Sequence, residues 1–156
     1  MKIKDGNKSI GKFHLVCKGK DGNIKWEVMK DNLGMNARLA VIAGLYGGTG
    51  AQTAFSYLAV GTSSTAVAAS QTTLGAEITD SGLGRASATM SRTTTNQTND
   101  TTVFTKTWTA SGSKSIEEIG YFNASSSGVM GGRALTGTRS VVSGDTITAT
   151  YSVIHT

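Results

Sequence analysis

Thr146-Ile-Thr-Ala-Thr-Tyr-Ser-Val153 alternates without a break: Ile147, Ala149, Tyr151 and Val153 fall on one side, and Thr146, Thr148, Thr150 and Ser152 on the other. Side chains of a strand alternate across its two faces, so this period marks a strand with one face in a core and one in water. The same period recurs upstream. Phe13, Leu15 and Cys17 share one face, and Ile24, Trp26 and Val28 another, with Lys18-Gly-Lys-Asp-Gly-Asn23 between them. The Asp-Gly step accepts the positive backbone angles of a tight turn, so residues 13–28 are expected to form a β-hairpin.

Further along, Ala86, Ala88 and Met90 are expected to face one way and Ser87, Thr89 and Ser91 the other, as one strand. Phe104 and Trp108 fall together on a strand around Lys106, and further strands are expected near Tyr57–Val60, Ile116–Phe122 and Val129–Leu135. Turn-forming runs separate them at residues 95–100, 124–128 and 143–145. Short strands at this spacing predict a mainly β chain, an antiparallel β-sandwich of jelly-roll or Ig-like type. One helix is expected near residues 33–46: Asp31 and Asn32 would cap it, Met35, Leu39, Ile42 and Tyr46 would pack on the sheet, and Gly47-Gly48 would stop it. Residues 61–74, rich in Thr, Ser and Ala without apolar period, read as a long surface connection.

Composition agrees with a folded β protein. Charged residues make up 16% and aromatics 6%, with 20 glycines, while the hydrophobic share of 38% is too high for a disordered chain. At 156 residues the chain can bury a core without cross-links, and its single Cys17 has no intrachain partner for a disulfide. No stretch approaches membrane-spanning length, and the basic first residues are not followed by the apolar run of a signal peptide.

The net charge of +5 is unevenly placed: residues 1–50 carry eight Lys and Arg38 against four acids, and residues 51–156 balance to zero. The organisation this suggests is a basic hairpin-plus-helix part at 1–50, serving attachment, packed as one unit with a β-sandwich domain at 55–156. Lys2, Lys4, Lys8, Lys12, Lys18 and Lys20 are the candidate partner contacts. Nucleic acid is the lesser alternative partner, because Lys outnumbers Arg eight to one in that third and its aromatics Phe13 and Trp26 sit on core faces.

Little in the sequence points to catalysis. His14 and Cys17 would face opposite sides of their strand, and His155 is far away in sequence. Glu117 and Glu118 are neighbours on a strand, so they diverge and are expected to be solvated or paired with Lys. Gly47-Gly-Thr-Gly50 lacks the Lys-Ser/Thr of a phosphate loop. No catalytic, metal or cofactor residue is assigned.

A resemblance adds to this. Tyr57-Leu-Ala-Val-Gly-Thr-Ser-Ser-Thr-Ala-Val-Ala-Ala-Ser-Gln-Thr-Thr-Leu-Gly-Ala-Glu77 resembles a phrase of small tailed-bacteriophage virion structural proteins, in which a strand ending in Ala-Val-Gly-Thr leads into a Thr/Ala linker and a Leu-x-x-Glu. Ile119-Gly-Tyr-Phe-Asn-Ala124 is similar to their glycine-aromatic strand, and Gly144-Asp-Thr-Ile-Thr-Ala-Thr-Tyr151 to their closing strand. The likeness spans residues 30–156 and departs at Val67, where relatives often have Pro. It implies a virion component of the capsid decoration, head-fibre or tail-associated kind and leaves the position open; the leading expectation is a non-enzymatic capsid decoration protein on the head that binds the major capsid protein, a homo-oligomer for which a trimer is plausible, with no membrane partner. A tail, collar or fibre-base component is the alternative.

Overall fold

The computed structural model describes residues 9–155. In chain order its elements are β1 (Ser9–Lys18), β2 (Ile24–Asp31), β3 (Leu33–Gly34), α1 (Arg38–Gly47), β4 (Tyr57–Gly61), β5 (Ala86–Ser87), β6 (Thr89–Thr93), β7 (Thr101–Thr109), β8 (Lys114–Phe122), β9 (Met130–Val141) and β10 (Thr146–His155). They form two five-stranded antiparallel sheets, ordered β2-β1-β10-β7-β6 and β3-β9-β8-β4-β5, which face each other as a β-sandwich.

The period-two reading of β10 and β1 carries straight into the first sheet. Phe13 pairs with Tyr151, Leu15 with Ala149 and Cys17 with Ile147, and all six side chains are buried. On the other side of β10, Phe104 opposes Tyr151 and Trp108 opposes Ile147. The facing wall is built from Leu58, Val60, Ile116, Ile119, Tyr121 and Ala134. Tyr151 joins the two walls, stacking on Phe13 at 4.3 Å and on Tyr121 at 4.4 Å between ring centroids. Each fully buried large apolar side chain contributes roughly 1.5–3 kcal/mol to this packing. Trp108 keeps its indole N–H satisfied by donating to the Gly84 carbonyl at 2.8 Å.

The expected hairpin is present. Gly22, at φ +80°, takes the left-handed conformation and donates to the Gly19 carbonyl at 2.9 Å, while the Asp21 carboxylate accepts from the backbone and side chain of Asn23. One detail differs. The ladder shifts by one residue between Cys17 and Lys18, so Ile24 opposes Lys18 on the outer face and is exposed, whereas Trp26 and Val28 turn inward.

The helix departs further from expectation. Asp31 ends β2, and the Asn32 N–H donates to the Gly11 carbonyl instead of heading a helix. Leu33 and Gly34 then pair with Arg133 and Gly132 of β9, and the Met35 N–H reaches the Gly131 carbonyl. These sheet bonds hold residues 31–35 extended, so capping by Asp31 and Asn32 is overridden and α1 starts at Arg38 with no side-chain cap. Only its end is as expected, with Gly48 left-handed at φ +60°. Its buried residue is Val41, while Leu39 is 59% and Tyr46 89% exposed.

The single strand expected at 86–91 is two. Ala86 and Ser87 pair with β4 in one sheet, and Thr89–Thr93 pair with β7 in the other. Ala88 is the buried corner where the chain crosses between sheets, its N–H held by the Ser56 carbonyl at 2.8 Å. Met90 beyond the corner is exposed.

Candidate functional site

Of the six lysines expected to contact a partner, Lys2, Lys4 and Lys8 lie outside the described residues. Lys12 and Lys18 stand on the outer face of β1 near its two ends, and Lys20 is in the following turn, so the three are strung along one hairpin and do not form a cluster. Acidic residues interleave with them. Lys12 lies 3.9 Å from Asp31, and His14 Nε2 lies 2.6 Å from Glu27 Oε1. Lys25 donates to Asp145 at 2.5 Å. Between these groups runs an open groove of about 400 Å³, lined by His14, Val16, Lys18, Ile24, Thr148 and Thr150.

The residues considered for chemistry are dispersed. Cys17 is buried, and burial, then the nearby Asp145 charge, pushes its thiol up and away from the reactive thiolate. His14 is on the opposite face of β1. The His155 N–H donates to the Asp100 carbonyl at the far end of β10. Among the described residues no group of three or more His, Cys, Asp and Glu could hold a metal ion, and no helix is long and apolar enough to cross a membrane.

Glu118 is neither solvated nor paired with Lys. It lies opposite Leu135 in the β8–β9 ladder, on the sheet face turned away from the sandwich interior, and its side chain is fully buried. Arg133 Nε donates to it at 2.6 Å. The long connection after β4 closes over this pair: Ser63, Gly75 and Ala76 donate their N–H groups to the same carboxylate, and Arg133 reaches Gln71 Oε1 at 3.0 Å. A second apolar layer of Met35, Ala59, Leu74, Phe122 and Met130 lies under the same cover, with Val67 packed against it. Counted from Ile116, strict alternation would put Glu118 on the core face; the irregularity between Ile116 and Glu118 in the β8–β9 ladder turns it to the outer face, which in most two-layer sandwiches is wet. Nothing in the sequence signals that a loop will cover it.

A second arginine organises the neighbouring rim. Arg85 makes a two-point contact with Glu77 at 3.0 and 2.5 Å, donates to the Ala124 and Ser127 carbonyls, and lies 3.5 Å over the Phe122 ring. The cleft beside it, about 440 Å³, is walled by Thr79, Gly84 and Ser125–Ser127. Because Arg85 already spends its donors on protein acceptors, the cleft offers hydroxyls and no uncommitted cation.

Exposed apolar residues are spread over the surface, at Ile10, Ile24, Met29, Met90 and Val142, and α1 carries three more. Leu39, Leu45 and Tyr46 stand exposed on it, with Leu33 of β3 exposed as well. Helical spacing had predicted that Leu39 and Tyr46 would be core. No family model, no curated protein and no solved structure matches this chain.

Proposed function

We propose that the chain is a non-enzymatic structural subunit, an accessory protein of a bacteriophage particle that sits on the head by binding the major capsid protein. The observation that carries this reading is the set of exposed apolar side chains on α1, Leu39 and Tyr46 on one helix face at seven-residue spacing and Leu45 to one side of them, beside a two-sheet sandwich. An exposed apolar surface of this kind gains free energy when a partner covers it and gains none in a solvated monomer. The ordered resemblance of residues 57–77, 119–124 and 144–151 to tailed-phage structural proteins supplies the class of partner. Many identical weak contacts on a symmetric shell would add through multivalency, and Lys12, Lys18 and Lys20 would complement acidic shell surface.

The test is imaging of purified particles with wild-type protein and with the double variant Leu39→Ser, Tyr46→Ser. Ordered copies on the head that vanish with the double variant support the reading. Copies on the tail, collar or fibre base favour the alternative location, and absence from the particle overturns both.

A further inference from the structure

Each sheet has two edges, and the sandwich treats three of them defensively. β3 and β5 are two residues each, too short to template another strand. β2 is eight residues long but carries Lys25, Glu27, Lys30 and Asp31, and its ladder is shifted beside Lys18. Short length, charge and irregularity are the usual means of blocking strand addition. β6 is the least guarded: Thr89-Met-Ser-Arg-Thr93 is regular through all five residues, every one exposed, and Arg92 is its single charge, with no Lys, Pro or acid.

We propose that β6 is an interface, pairing antiparallel with β6 of a second copy so that two five-stranded sheets become one continuous sheet. The pairing is centred on Ser91. Ser91 then faces Ser91 of the second copy, Thr89 faces its Thr93, and Met90 faces its Arg92. Threonines opposite one another are favourable cross-strand neighbours. The two guanidinium groups are kept apart, and each arginine stem lies on a methionine whose side chain is 41% exposed in the single chain. A register centred on Arg92 would place like charges face to face, which the Ser91 centre avoids. The contact is isologous, so it closes at two copies. A five-residue ladder buries little area, which makes the pair weak in solution and effective where copies are already concentrated.

Sedimentation equilibrium of the full chain at concentrations up to about 200 µM tests this, since pairs weaker than micromolar populate only in that range. The wild type is expected to shift from monomer to dimer as concentration rises. Ser91→Lys and Ser91→Glu each place like charges opposite one another and should weaken pairing at least about tenfold, while their equimolar mixture restores it. Ser91 is exposed on the outer face, so circular dichroism should remain that of the wild type. Ser91→Cys should oxidise to a covalent dimer, because cross-strand Cα separations of about 4.5–5.5 Å fit a disulfide; Thr107→Cys, on the same face but inside the sheet, should not. A wild type that stays monomeric throughout, a Ser91→Lys protein that pairs as well as wild type, or a mixture no tighter than its components would overturn the proposal. The result stands apart from the head-binding reading, since it is read in solution without particles.

Discussion

Arg133 Nε donates to Glu118 Oε2 at 2.6 Å, with both side chains at 0% exposure, on the face of the second sheet turned away from the sandwich core. Removing two charges from water costs several kcal/mol per ion and is offset only where the partners saturate each other. Here the carboxylate also accepts three backbone N–H groups, from Ser63 at 3.4 Å, Gly75 at 3.0 Å and Ala76 at 2.8 Å. These donors belong to the Thr/Ser/Ala-rich connection after β4, so the ion pair is what fastens that irregular segment down as a third layer. Gly61 leaves the room: a Cβ there would collide with Glu118 Oε1.

Glu118→Ala is therefore expected to destabilise the fold by about 3–5 kcal/mol, because it leaves the Arg133 charge buried and unpaired. It should also open residues 62–76 to protease. Replacing both partners, Glu118→Leu with Arg133→Met, should cost less than Glu118→Ala alone. Urea unfolding gives the energies, and mapping the first cleavage site tests the fastening.

On α1 the two kinds of apolar residue should separate cleanly. Leu39→Ser and Tyr46→Ser, both exposed, are expected to change folding stability by no more than about 0.5 kcal/mol. Val41→Ala, which empties a buried site, should cost about 2 kcal/mol. Thermal or urea melts of the three single variants make the comparison. Equal costs at Tyr46 and Val41 would contradict the exposed face.

Acid should weaken the fold through two aspartates. Burial pushes the Asp145 carboxyl up, but the Lys25 ammonium and the Val142 N–H outweigh it and hold it below its ordinary value. Asp100 is held well below the usual range by N–H donation from Gln97 and then from Asn96 and Thr95. Their folded pKa values lie beneath the unfolded value of about 3.9, so their stabilisation is complete above that pH and is lost as pH falls through the folded values. Urea midpoints are expected to drop below about pH 4. Asp145→Asn should start less stable at neutral pH and show a shallower acid slope.

At the alkaline end the sign reverses. Burial raises the Tyr151 phenol well above its ordinary value, so the folded state keeps this proton while the unfolded state releases it. Stability from Tyr151 is thus full below about pH 10 and declines above it. Ultraviolet titration should show the Tyr151 phenolate appearing only as the fold is lost.

Much of the architecture was legible because β1 and β10 each have one dry face. Residues 13–17 and 147–151 carry their burial in plain alternation, Phe104 and Trp108 are buried on one face of β7, and Gly22 marks the hairpin turn by a conformation that glycine takes readily. The candidate surface was less legible. The row Leu39, Ile42 and Tyr46 has the spacing of a core-facing helix, and spacing reports that a face is apolar without reporting what covers it. The lysines were visible, but their interleaving with Asp31, Glu27 and Asp145 depends on strand register.

By itself the sequence determined the mainly β class, the approximate positions of the long strands, the hairpin and the glycine stop of the helix, since each follows from local sterics or from the period that one-sided burial imposes on strands such as β1 and β10. Tertiary structure decided where residues 31–35 go, because bonds to Gly11, Gly131 and the β9 ladder outbid a local cap. It also decided that the chain changes sheets at Ala88 and that Glu118 is dry. Those outcomes depend on partners far away in the chain, such as Arg133 for Glu118, and the strength of a buried charge pair is set by its surroundings, which only the assembled fold supplies.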